Sequence, residues 1–146
     1  MIKLNWDAGV NVKEGRVGLG LIARDSRGHC LNARSMTLEC QTKASMAEAL
    51  AAVHAVMLCK EMGYVNVTIE GDALQVIRAI ATTDPCLSSY GHMIECIHRE
   101  LRSLENVSFI HVIRGANTAT HMLARMATSW GMFHLMYVMY VIYVIL

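Results

Sequence analysis

Polar and apolar positions alternate at the start of the chain, Ile2, Leu4 and Trp6 against Lys3, Asn5 and Asp7, which predicts a half-buried strand over residues 2–8. "VGLGLIAR" (17–24) and "HCLNARSMTL" (29–38) flank "DSRG", a turn in which Gly28 can take positive φ. The pair predicts a hairpin, so three antiparallel strands open the domain. The period then changes. "KASMAEALAAVHAVMLCKEM" (43–62) is rich in Ala, Leu and Met, and Gly63 supplies a stop just beyond it, as at the end of a long helix. "VTIEGDALQVI" (67–77) begins with the β-branched residues of an inner strand and turns acidic at Glu70 and Asp72 before a helical pattern runs from about Ala73 to Ala81. A loop carrying the only proline, Pro85, precedes a helix from about Ser88 to Leu104. "NVSFIHVI" (106–113) reads as a fifth strand and "NTATHMLARMA" (117–127) as a final helix.

The order βββαβααβα places the chain in the α/β class, with a mixed sheet and helices on its faces, because a strand, helix, strand connection of this length forces a parallel crossover. Sites in such sheets form beyond the carboxyl ends of the parallel strands. Asp7 is expected to end the first strand and Asp72 to follow the fourth; if those strands are parallel neighbours, both carboxylates project at one edge. Glu48, one to two turns into the crossover helix, can lean over the same edge. Three converging carboxylates repel unless a cation neutralises them, and hard oxygen ligands select Mg²⁺ or Mn²⁺ over zinc. A two-metal site of that type serves phosphodiester cleavage. Acids at strand ends and in helices are also commonly solvated surface or cap groups, so spacing alone leaves both readings open.

Composition narrows the field. A chain of 146 residues with 54% hydrophobic residues fits one domain with ample core material. The formal charge of +1, from 13 Lys and Arg against 12 Asp and Glu, gives no global field for nucleic acid, so any such binding rests on a local patch. Five cysteines, Cys30, Cys40, Cys59, Cys86 and Cys96, are widely spaced without a CxxC pair. They read as buried thiols in a reducing, intracellular compartment. "MIKLNWDAG" has no apolar signal core. The eleven methionines read as core filler or tail surface, not as a soft-metal site.

Residues 1–128 form the expected domain and 129–146 a hydrophobic tail. "WGMFHLMYVMYVIYVIL" (130–146) is nearly unbroken apolar sequence with His134 its only ionisable side chain. Its length lies at the lower limit for a membrane span, and Arg125 just upstream suits a tail anchor. Two other readings compete: a last element packed onto the domain, or an appendage outside it, as from a shifted reading frame.

Five stretches, "KLNWDAG" (3–9), "GLIARDSRGHCL" (20–31), "SMAEALAAVHAV" (45–56), "VTIEGDALQVI" (67–77) and "FIHVIRGANTATHMLARMA" (109–127), together resemble the ribonuclease H-like domain of plant retroelements and their domesticated relatives, a group similar to type 1 ribonuclease H. The resemblance implies a five-stranded sheet in strand order 3-2-1-4-5 with helices on both faces. It implies a metal-dependent endonuclease, a hydrolase that cuts the RNA strand of an RNA–DNA hybrid. By position Asp7, Glu48 and Asp72 match the metal-binding, catalytic acids, with two Mg²⁺ or Mn²⁺ ions implied, and Asn117 falls at a substrate-side position. The fourth acid of active members is replaced by His121, a softer, neutral ligand that suits Mg²⁺ poorly. Gly115 and Thr120 also depart from the usual pattern, and "DAG" at residues 7–9 replaces the usual "DGA" or "DGS". A second reading follows: a catalytically weak or inactive nucleic-acid-binding module of retroelement origin, tethered to a membrane by its tail. His111 and His54 read as strand and core side chains, and His98, Arg99 and Arg102 as part of a solvated helix face interrupted by Glu95, Glu100 and Glu105.

Overall fold

The structure, a computed structural model, describes residues 1–129; of the hydrophobic tail expected over 129–146, Ser129 ends the last helix and residues 130–146 lie outside the described residues. Five strands and four helices occur in the expected order: β1 (Ile2–Asn11), β2 (Arg16–Arg24), β3 (Cys30–Glu39), α1 (Ala44–Met62), β4 (Val67–Gly71), α2 (Leu74–Ala81), α3 (Gly91–Leu101), β5 (Val107–His111) and α4 (Thr118–Ser129). The sheet order is β3-β2-β1-β4-β5. β1, β2 and β3 pair antiparallel, whereas β1–β4 and β4–β5 are parallel. Mixed sheet and strand order are those of a ribonuclease H-like fold.

Local chemistry explains the turns. Asp25 closes the β2–β3 hairpin: its Oδ1 accepts from the N–H groups of Arg27 and His29, while Gly28 takes φ 86°. α1 stops at Gly63, whose φ of 64° is left-handed, and the Tyr64 N–H reaches back to the Cys59 carbonyl at 2.9 Å.

Two differences from the sequence expectation matter. The third helix spans Gly91–Leu101 rather than residues 88–104, with Ser88 left in the turn before it, where its carbonyl accepts from the Gly91 N–H. β1 does not end at Asp7: it runs on to Asn11 because Ala8 to Asn11 stay paired with β2. β4 pairs with β1 only as far as Asn5. The edge at which Asp7 lies is thus the end of β4 beside a longer β1.

Along β1 the side chains part to opposite faces. Leu4 and Trp6 join the main core under α1, with Val17, Leu19, Leu21, Ile69 and the alanines of the helix. On the other face α4 lies close against glycines: a Cβ on Gly18 would run into the Ala124 carbonyl, and one on Gly20 into the Thr120 carbonyl.

Candidate metal centre

Each acid is carried by a different element. Asp7 sits in β1 opposite Gly20 of β2, a residue that leaves room for α4. Glu48 lies on the second turn of α1. Asp72 follows β4 directly, and the close fit of Gly71 against the Trp6 ring fixes the strand end from which it projects. Trp6 is held in turn by an edge-on contact with Phe109 of β5, at 5.7 Å between ring centroids. Asp7, Glu48 and Asp72 each offer an oxygen, and these oxygens lie within 4.8 Å of one another.

The pocket is partly to fully buried and crowded with acidic groups. Asp7 is 1% exposed. Burial pushes its carboxyl above the usual value and the charge of Asp72 adds to that, while hydrogen bonds with Glu48 and His121 pull it back. The Glu48 carboxyl is pushed up to about 9, first by burial, then by the charge on Asp7, a hydrogen bond with it and the charge on Asp72. Without a cation the pair therefore shares a proton, Glu48 donating to Asp7. The other Glu48 oxygen, Oε2, is buried with no hydrogen-bond partner. A buried oxygen with nothing to accept from, beside two further carboxylates, is the donor set a hard divalent cation completes.

His121 reaches the pocket through Asp7, its Nδ1 lying 2.6 Å from Oδ2. Asn117, expected on the substrate side, is 1% exposed and its Nδ2 donates to the Trp6 carbonyl at 2.8 Å. Its position ties the start of α4 to β1. Arg114, missed in the sequence reading, stands in the 3₁₀ turn before α4 with Nε 3.6 Å from Asp72 Oδ2 and a side chain 75% exposed. The signal was its place three residues before Asn117 in "RGAN", which no periodicity marks.

The remaining basic residues lie elsewhere. His111 ends β5 and is exposed. His98 donates through Nε2 to the Ile80 carbonyl at 2.8 Å, tying α3 to α2, and Arg99 pairs with Glu100 on the surface. His54 is half-buried on α1, its imidazole shifted toward the neutral form by burial and then by the charge of Arg34.

Comparison with known proteins follows the same lines. Ribonuclease H1 from the archaeon Halobacterium salinarum NRC-1 superposes with a TM-score of 0.76 at 19% identity, over 86% of this chain and 96% of its own. LC11-RNase H1, isolated from compost and solved in complex with an RNA/DNA hybrid, gives 0.77 at 19% identity over 88% of this chain and 96% of its own. The N-terminal RNase H domain of rv2228c from Mycobacterium tuberculosis gives 0.78 at 15% identity over 87% and 92%. At such identities the likeness establishes the fold. No curated protein sequence matches the chain. A family model described as reverse transcriptase-like matches residues 5–127, nearly the whole of the described domain. The chain belongs to the reverse transcriptase-like family and carries its ribonuclease H-like fold.

Proposed function

We propose that this domain is a divalent-cation-dependent ribonuclease H that hydrolyses the RNA strand of an RNA–DNA hybrid, with Asp7, Glu48 and Asp72 holding Mg²⁺ or Mn²⁺. The observation that carries the reading is the three-carboxylate cluster, whose oxygens lie within 4.8 Å of one another, with Glu48 Oε2 buried and unpartnered. The hybrid bound by LC11-RNase H1, a protein of the same fold, supports the substrate class.

The chemistry that a bound cation supplies is charge neutralisation, Lewis acidity at a phosphoryl oxygen and a lowered pKa for the attacking water. The chain's own residues prepare for it. Asp7 is held in β1 and oriented by the contact of its Oδ2 with His121. Glu48 gives up its proton as the pocket is neutralised. Arg114, beside Asp72 yet open to solvent, offers a charged donor to a phosphate of the backbone arriving at the rim. The five cysteines are unpaired, which supports a reducing compartment, although only Cys59 is buried as expected, Cys40 being exposed and Cys30, Cys86 and Cys96 half-buried.

A second reading, a nucleic-acid-binding module without turnover, is favoured by one observation, the imidazole of His121 on Asp7 in place of a fourth acid. Among the described residues no helix is long and apolar enough to cross a membrane, and the tail that suggested an anchor begins beyond them.

Cleavage of an end-labelled RNA–DNA hybrid in Mg²⁺ and in Mn²⁺ decides between the two readings. The proposal expects product in at least one ion, none in chelator, and a loss of about 10³-fold in Asp72→Asn. Absence of product in both ions, or equal rates in the variant, overturns it.

A further inference from the structure

Asp7 is the carboxylate that the other groups of the pocket meet. It shares a hydrogen bond with Glu48 of α1, and its Oδ2 lies 2.6 Å from Nδ1 of His121 on α4. A carboxylate oxygen only accepts, so the imidazole donates through Nδ1–H. A contact this short commits Oδ2 to a hydrogen, and an oxygen so engaged is poorly placed to accept a cation as well.

α4 cannot easily move His121 away. The Gly18 and Gly20 contacts leave no gap between helix and sheet. Asn117 Nδ2 donates to the Trp6 carbonyl, and the Ser35 and Thr37 hydroxyls of β3 donate to the Leu123 and Ala127 carbonyls. Backbone and side-chain contacts from three strands thus fix the helix in register and pin residue 121 over Asp7.

Charge points the same way. Three ionised carboxylates carry three negative charges, which one divalent cation offsets to within one, while a second would leave the pocket positive, with the exposed Arg114 beside Asp72 adding to the excess. An imidazole supplies no negative charge in either protonation state.

We propose that this pocket takes one divalent cation and not the two implied by the family resemblance, with the Nδ1–H of His121 occupying Asp7 Oδ2, an oxygen that a second cation would need free. The inference rests on the cation site proposed above. Asp7 then contributes one carboxylate oxygen together with Glu48 and Asp72, and His121 is a positioning residue that acts through Asp7.

Counting bound Mn²⁺ separates the possibilities without reference to turnover. The full chain, stripped by chelator, is titrated with Mn²⁺ alone, and free ion is read by electron paramagnetic resonance for the wild type and for His121→Asp. One ion per chain in the wild type and two in the variant is the expected pair of results. Two ions in the wild type overturn the inference while leaving the cation site standing; none overturns both. One ion in each protein overturns the role given to His121. Should His121→Asp fail to fold by circular dichroism, the wild-type count decides alone.

Discussion

On one face of the sheet α1 lays a wall of alanines and short aliphatics over Leu4, Trp6, Leu19, Leu21 and Ile69; on the other, α4 rests almost directly on the backbone of β1 and β2 at Gly9, Gly18 and Gly20. The α1 face is held by apolar area removed from water. The α4 face has a far smaller apolar cluster, centred on Ile22 and Leu123, and is held by close approach and by hydroxyl and amide donors to helix carbonyls. A core of large side chains tolerates small shifts, whereas backbone laid on backbone fixes position. That is the layer which carries His121, and the site lies where both layers reach past the end of β4.

The α1 face is the more costly of the two to disturb. Ile69→Ala removes a fully buried side chain between β1, β4 and α1 and should cost ~2–5 kcal/mol in urea unfolding, with the pocket geometry kept in the surviving folded population. Gly18→Val drives a side chain into the Ala124 carbonyl and should cost ~1–3 kcal/mol. It should also lift α4, visible as loss of amide protection along residues 118–129.

Glu48→Gln is expected to act with the opposite sign. The Glu48 carboxyl lies at about 9 in the fold against a usual 4.5, so its stabilising contribution is fully present below 4.5 and is lost as pH rises toward 9. Cation-free protein should therefore weaken from pH 5 to pH 9. The Gln variant should flatten that decline and gain on the order of 1–2 kcal/mol at pH 8. A wild-type stability that rises over this range would contradict the buried, proton-sharing pair. Arg114→Ala should be the mildest change: its contact with Asp72 is largely exposed, so unfolding should shift by less than about 1 kcal/mol.

Much of this architecture was legible in the chain itself. Alternation at residues 2–8, the Asp25–Gly28 turn and the alanine-rich run ending at Gly63 each have a local physical cause, and each element formed where that cause acts. The three acids could be brought to one edge because strand order determines which strand ends are neighbours. What escaped was set by pairing at a distance. The extension of β1 to Asn11 depends on β2, and the third helix is shorter than its apolar pattern because Ser88 is taken by the preceding turn. Asn117, placed on the substrate side by the resemblance, is buried with its amide on the Trp6 carbonyl, a contact 111 residues away in sequence. Arg114 carried no periodic signal and acquires its place from the turn that returns the chain to β1.

The claim on which the account turns is that Asp7, Glu48 and Asp72 together hold a divalent cation. Diffraction from crystals soaked in Mn²⁺, with data collected to bring out its anomalous scattering, tests it most directly. The account predicts a peak enclosed by oxygens of those three residues, absent in Asp7→Asn. Well-ordered crystals with no peak there, or a peak unchanged in the variant, would contradict it.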